Sequence, residues 1–232
     1  MTATIPLSGN RLCAHLFSAQ PIRRSVDKLT DFAKGEGMDS ARSPLVSKAL
    51  AFATEAHGNI NHVRKYVGEP YIYHPIEVMQ IVSGVPHTVE MLAAALLHDT
   101  IEDTPVTRED IDREFGQKVA ALVMELTDQC HEGNRAARKA AEAKRLGTIS
   151  PDAQTVKLAD FISNTRSILQ YDPAFAMVYL REKSQVLAVM TSGDTSLYQQ
   201  AINLIEGAVT TIKFPKEKTN SGKRASDREA QT

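Results

Sequence analysis

His98 and Asp99 stand side by side at the end of an apolar run, Met91-Leu92-Ala93-Ala94-Ala95-Leu96-Leu97, and Glu102-Asp103 follows one helical turn later. An imidazole beside a carboxylate at the end of a buried segment is costly unless something compensates it, and a divalent metal is the usual compensation. His74 upstream and Asp160 downstream extend the pair to a mixed nitrogen and oxygen donor set. Two imidazoles and two carboxylates suit Mn²⁺, Fe²⁺ or Zn²⁺. A cation held in this way lowers the pKa of water and makes a nucleophile of it. Glu102 and Asp103 are then left over as acids beside the site. Such a set is equipped to hydrolyse a phosphate ester.

The elements that must position these groups follow from their spacing. At ~100° per residue, His98 and Glu102 share one stripe of a helix, and Asp99 and Asp103 share the adjacent one. If the helix continues through Thr100 and Ile101, all four fall in an arc of roughly 140°. Thr104-Pro105 then ends it. Pro70-Tyr71-Ile72-Tyr73-His74-Pro75 sets His74 just before a helix opened by Pro75. Asp160 interrupts the otherwise core-facing stretch Val156-Lys157-Leu158-Ala159, and Asn164 lies one turn beyond it on the same side. Arg64-Lys65 precedes His74 by about nine residues, close enough for one loop to bring both to the site. Arg offers bidentate phosphate bonds and Lys a point charge. Glu102 and Asp103 are near-neighbours of like charge, so metal and burial should split their pKa values. Which of them is the base stays open. Taken singly, His74 reads as a structural histidine, Asp160 as a helix ion pair and Glu102-Asp103 as a solvated helix end. Their occurrence in order, each beside apolar sequence, is what strains those plainer readings.

Composition narrows the classes. The chain has 232 residues, 42% hydrophobic and 24% charged, which suits one ordinary globular domain with tails. A formal net charge of -1 supplies no global field toward nucleic acid or anionic lipid. The two cysteines, Cys13 and Cys130, form no disulfide framework, so a reduced cytoplasmic compartment is the simplest reading. The apolar stretches are too short to span a bilayer, and no apolar h-region marks a signal peptide.

The periodicity is helical throughout, and an all-α fold is expected. Residues 1–43 read as an N-terminal extension with one short helix over Val26–Phe32. The compact domain spans 44–212, and 213–232 is a polar tail expected to be disordered. Ser43-Pro44 opens the first domain helix. Further helices are expected from Pro75, from Thr88, from Thr107 to Phe115, and from Gln117 to Thr127. Others should run from Asn134 to Leu146 as an exposed helix, from Pro151, from Pro173 and from Thr195 to Ile212. Gly68 and Pro70 allow one small hairpin near Tyr66–Tyr73.

The ordered set His74, His98-Asp99 and Asp160 resembles the HD-domain phosphohydrolase signature. More narrowly, three stretches resemble the hydrolase domain of the Rel/Spo alarmone enzymes, especially the stand-alone small alarmone hydrolases. They are Arg64-Lys65…Pro70-Tyr71-Ile72-Tyr73-His74-Pro75, His98-Asp99-Thr100-Ile101-Glu102-Asp103-Thr104, and Val156-Lys157-Leu158-Ala159-Asp160 with Asn164. The likeness runs from about Leu45 to Ile205.

The resemblance implies an all-α fold and a manganese-dependent 3′-pyrophosphohydrolase acting on guanosine 3′,5′-bis-diphosphate. It implies that His74, His98, Asp99 and Asp160 hold Mn²⁺, and that Glu102 and Asp103 position and deprotonate the attacking water. It also implies that Arg64 and Lys65 meet substrate phosphates and that Asn164 contacts the nucleotide. Tyr179 resembles a tyrosine near the nucleoside, although the loop before it differs in length. The segment Phe161-Ile162-Ser163-Asn164-Thr165-Arg166 departs from the Lys-Leu-Tyr-Asn-Leu-Arg form common in Rel/Spo enzymes. Arg135, in the basic stretch to Arg145, is a further phosphate-contact candidate.

The expected partner is therefore a small purine nucleotide, with neither nucleic acid nor membrane involved. The oligomeric state stays open, a homodimer included. No synthetase or regulatory module is recognisable, so constitutive or substrate-controlled hydrolysis is expected. Adenosine alarmones and NADPH are alternative substrates for the same site. A helical module that binds nucleotide without turnover is an alternative of another class.

Overall fold

The computed structural model describes Ser40, residues 43–130 and residues 132–213, with side chains to 210. The short helix expected over Val26–Phe32 and the polar tail beyond 213 lie outside the described residues. The helices are α1 (Pro44–Asn59), α2 (Tyr73–Ser83), α3 (Val89–Leu97), α4 (Thr100–Asp103), α5 (Arg108–Phe115), α6 (Gln117–Leu126), α7 (Arg135–Leu146), α8 (Pro151–Tyr171), α9 (Pro173–Leu187) and α10 (Thr195–Lys213). The fold is all-α. The only β feature among the described residues is one antiparallel bridge, Val63 to Pro70.

Local chemistry explains where these helices begin. Pro44, Pro151 and Pro173 each take a first-turn position, where a missing N–H is harmless. Ser43, Ser150 and Asp172 cap them by accepting from Leu45, Ala153 and Phe175 backbone N–H groups. Thr107 and Asp110 cap α5 reciprocally.

From Met91 to Leu97 every residue of α3 is buried. A helix apolar on all sides must be enclosed, and α3 is packed by α1, α2, α6 and α8. The long α8 is the second strut; it touches α2, α3, α6, α9 and α10. Gln154 on α8 fixes the connection into α10. Its Oε1 accepts from Ser192 and Gly193 N–H at 2.8 and 3.1 Å, and its Nε2 donates to the Leu146 carbonyl at 3.1 Å. A Cβ at Gly193 would stand 2.9 Å from Leu158 Cδ1 and 3.1 Å from the Gln154 backbone, so this close crossing favours glycine.

Several expectations need correction. The helix through His98 does not continue to Asp103: α3 ends at Leu97 and α4 is a separate single turn. Side chains take over the backbone acceptors there. Thr100 Oγ1 donates to Leu97 O at 2.7 Å, and His98 Nδ1 engages Ala95 O at 2.8 Å. The arc of an unbroken helix therefore does not describe the four polar groups. The helix expected from Pro75 begins at Tyr73, so His74 lies inside its first turn. The hairpin near 66–73 shrinks to the single bridge, held by Arg64 N–H to Glu69 O at 2.8 Å and Tyr71 N–H to His62 O at 3.0 Å. Gly68, at φ +66°, makes the turn. Finally, α7 is not wholly exposed: Glu142, Ala143 and Leu146 are buried.

Candidate active site

Three chain segments meet at the C-terminal end of α3. The first turn of α2 contributes His74, the α3–α4 break contributes His98 and Asp99, and the middle of α8 contributes Asp160. His74, His98 and Asp99 offer ligand atoms all within 4.8 Å of one another. Asp160 Oδ1 lies 3.2 Å from His74 Nε2 and 3.8 Å from His98 Nε2. Asp99 Oδ2 lies 2.9 Å from His98 Nε2 and 3.7 Å from His74 Nε2. Both imidazoles are 1% exposed.

The donor chemistry of this cluster fits a cation. His98 Nδ1 faces the Ala95 carbonyl, which can only accept, so Nδ1 carries a hydrogen. The Nε2 atoms of His74 and His98 are buried and make no hydrogen bond. They face the carboxylate oxygens at short range but off hydrogen-bonding angles. Orphaned buried polar atoms of this kind call for an explanation, and a metal supplies one. Without a metal, the compensating charge is a proton. Burial pulls His98 down, but the Asp99 carboxylate outweighs it and lifts the ring to about 9. Burial alone would raise Asp99; the His98 ring outweighs it and holds the acid well below the carboxylate range. Asp160 is likewise held down against burial, first by Lys157 and then by the two imidazoles. Lys157 Nζ stands 3.1 Å from Asp160 Oδ2.

The two spare acids diverge. Both residues are exposed, and Glu102 Oε2 accepts from the Asp128 N–H at 3.2 Å, toward the loop after α6. Asp103 turns the other way, with Oδ2 3.9 Å from His62 Nδ1. Partial enclosure, then the charges of Asp99 and Glu102, push the Asp103 carboxyl up to about 7.

Beside the cluster lies a cavity of about 310 Å³, with Arg64, Lys65, Tyr71, Asn164, Phe175 and Tyr179 among its lining residues. Two of these residues touch the cluster directly. Tyr71 donates to Asp99 Oδ2 at 2.6 Å, and Asn164 Nδ2 donates to Asp160 Oδ1 at 2.6 Å. The cavity and the cluster therefore share a wall, made by Tyr71 and Asn164. Arg64 is braced by Ser167 Oγ at 3.1 Å, and Lys65 Nζ stands over the Tyr66 and Phe175 rings. Tyr179 is buried between Phe161 and Phe175, with its hydroxyl unpartnered. An anionic, ring-bearing ligand of nucleotide size matches this wall. Arg135 lies apart from it, in an exposed bidentate pair with Glu182 at 2.8 and 2.9 Å.

Four contributors escaped the sequence reading. Tyr71 lay inside a quoted motif but received no role. Ser163, which bonds His74 Nδ1 at 3.0 Å, lay in the departing segment. His57 continues the buried stripe Val46, Ala49, Leu50, Ala53 of α1, a signal that was available. Burial drops it to about 4, so it is neutral. His62, stacked on Tyr71 at 3.7 Å, gave no signal.

Comparison with known proteins gives the family. The HD domain model matches residues 49–192, and the chain belongs to the HD-domain family. Within that family it is 37% identical over 138 residues to the guanosine-3′,5′-bis(diphosphate) 3′-pyrophosphohydrolase MESH1 of Danio rerio, covering 59% of this chain and 76% of that protein. It is 38% identical over 130 residues to the GTP pyrophosphokinase rsh of Brucella ovis, covering 53% of this chain and only 17% of that longer protein. A solved metazoan ortholog of SpoT, described as hydrolysing ppGpp, superimposes with a TM-score of 0.65 at 28% identity, over 71% of this chain and 96% of that one. No helix of the described residues is long and apolar enough to cross a membrane.

Proposed function

We infer that this protein is a metal-dependent hydrolase that removes the 3′-pyrophosphate from (p)ppGpp-type alarmones, with Mn²⁺ as its cation. The observation that carries the reading is the convergence of His74, His98, Asp99 and Asp160 beside a cavity lined by Arg64 and Lys65. The MESH1 and SpoT relatives carry the choice of substrate. The reading assigns the enzyme to the compartment of its nucleotide substrate, the cytoplasm.

The four named residues would hold the cation, which supplies Lewis acidity that lowers the pKa of water and offsets phosphate charge. The protein's own groups do the rest. Arg64 and Lys65 bind the diphosphate oxygens, and Asn164 and Tyr179 border the nucleoside. Asp103 accepts the proton of the attacking water. The water oxygen bonds to the phosphorus on the 3′-oxygen, the bond from that phosphorus to the 3′-oxygen breaks, and the 3′-oxygen takes up a proton as pyrophosphate departs. Glu102, on the solvent side, supplies or relays that proton.

A Mn²⁺-supplemented screen of guanosine and adenosine alarmones, NADPH and deoxynucleotides tests the reading, with products identified by chromatography. Pyrophosphate from ppGpp is expected. Single phosphate from NADPH with ppGpp untouched would overturn the substrate assignment, and tight binding without any product would overturn catalysis.

A further inference from the structure

His74 is joined on its far side to a short chain of hydrogen bonds that leads away from the cluster. Its Nδ1 lies 3.0 Å from Ser163 Oγ, and Ser163 Oγ lies 2.9 Å from Glu77 Oε2. Ser163 is buried, while Glu77 is partly open to a second cavity of about 220 Å³, which Arg64 and Arg166 also line. The direction of this chain is fixed by counting hydrogens. An ionised carboxylate only accepts, so the single Ser163 hydroxyl hydrogen points to Glu77. Ser163 Oγ can then only accept from His74, which requires the hydrogen of the ring to sit on Nδ1. Nε2 is left toward Asp99 and Asp160.

We propose that Glu77 and Ser163 are positioning residues that orient His74, fix the hydrogen on Nδ1 and so reserve Nε2 for a cation. The inference rests on the metal-dependent reading above and names residues that reading does not use. Partners of this kind raise the basicity of a ligating imidazole, and their removal typically costs about 10–100-fold in metal affinity. Glu77→Gln is informative because an amide N–H can donate to Ser163, which frees the hydroxyl to turn toward His74 and compete for Nδ1.

The test uses the full chain stripped of metal. Nitrogen-edited proton NMR should show a protected His74 Nδ1–H resonance that is lost in Ser163→Ala and shifted in Glu77→Gln. Manganese affinity, read by electron paramagnetic resonance titration, should fall about 10–100-fold in Ser163→Ala and by a smaller factor in Glu77→Gln. Because Glu77 is partly exposed, its variant tests the relay without disturbing the core. An unchanged resonance in Ser163→Ala overturns the proposal, and so does wild-type manganese affinity in that variant. A wild-type chain that shows the resonance but takes up no manganese sinks the hydrolase reading instead, and leaves the orientation of His74 standing.

Discussion

Tyr71 donates its hydroxyl to Asp99 Oδ2 at 2.6 Å while its ring lies parallel to His62 at 3.7 Å. Burial, then the Asp99 charge, raises the phenol far above its ordinary value, so it remains a donor throughout the working pH range. One side chain therefore steadies a ligand-type carboxylate and forms part of the cavity wall. Tyr71→Phe keeps the stacking and removes the bond. Manganese affinity measured by calorimetry should fall by about tenfold, and an unchanged affinity would show that Asp99 needs no such support.

Glu102→Ala and Asp103→Ala should each lower turnover by at least roughly 10²-fold, the scale of a lost general acid or base. Stoichiometric manganese should remain bound in both. Unchanged kinetics in both variants would remove the acid/base role.

Asp160→Ala should lose manganese and stability together. Lys157 would be left without its partner at 3.1 Å in a mostly buried position, a defect of about 3–5 kcal/mol. Replacing Lys157 with Met in the same chain should restore much of the stability but none of the metal. Full manganese stoichiometry in Asp160→Ala would exclude Asp160 as a ligand.

Asp103 links stability to pH. Its carboxyl stands at about 7 in the fold against an ordinary 3.8. Its stabilising protonated form is fully present below 3.8 and is lost as pH rises through 7, so the fold weakens across that window. Asp103→Asn removes the penalty. In metal-free protein the variant should gain little at pH 4 and about 1 kcal/mol at pH 8 after allowance for solvent screening, a rise of about 2–4 °C in Tm. An equal gain at both pH values would contradict the shifted carboxyl.

Gln154→Leu should cost about 2–3 kcal/mol, because Ser192 and Gly193 N–H groups and the Leu146 carbonyl lose their buried partner. Chemical denaturation measures this directly, and a neutral result would mean that the loop finds other partners.

The helical class and the helix starts were legible because proline, a capping side chain and apolar periodicity act within a few residues of one another, as at Ser43-Pro44 and Ser150-Pro151. The break between Leu97 and Thr100 was hidden because it depends on side chains of His98 and Thr100 bonding backward to carbonyls, which no spacing rule reports. Chemistry-bearing residues were legible where they interrupt apolar sequence, as His98 and Asp160 do. His62 and Ser163 were not, since each is unremarkable in its own segment and gains meaning only across the fold.

The sources of the two halves of the site differ. His74 and Asp160 stand on helices, and His98 and Asp99 in the short break between α3 and α4, all against the core, whereas Arg64, Lys65 and Tyr66 hang from a connector tied down by Arg64 to Ser167 and Tyr66 to Asp172. The cations proposed for phosphate and the buried donor set thus come from different parts of the chain, joined through Tyr71 and Asp99. On the reading proposed above, exchanging residues 64–67 would alter the grip on phosphate while Tyr71, Asn164 and Tyr179 keep the rest of the cavity in place, so one short surface turn is where this scaffold can change without touching its buried donors.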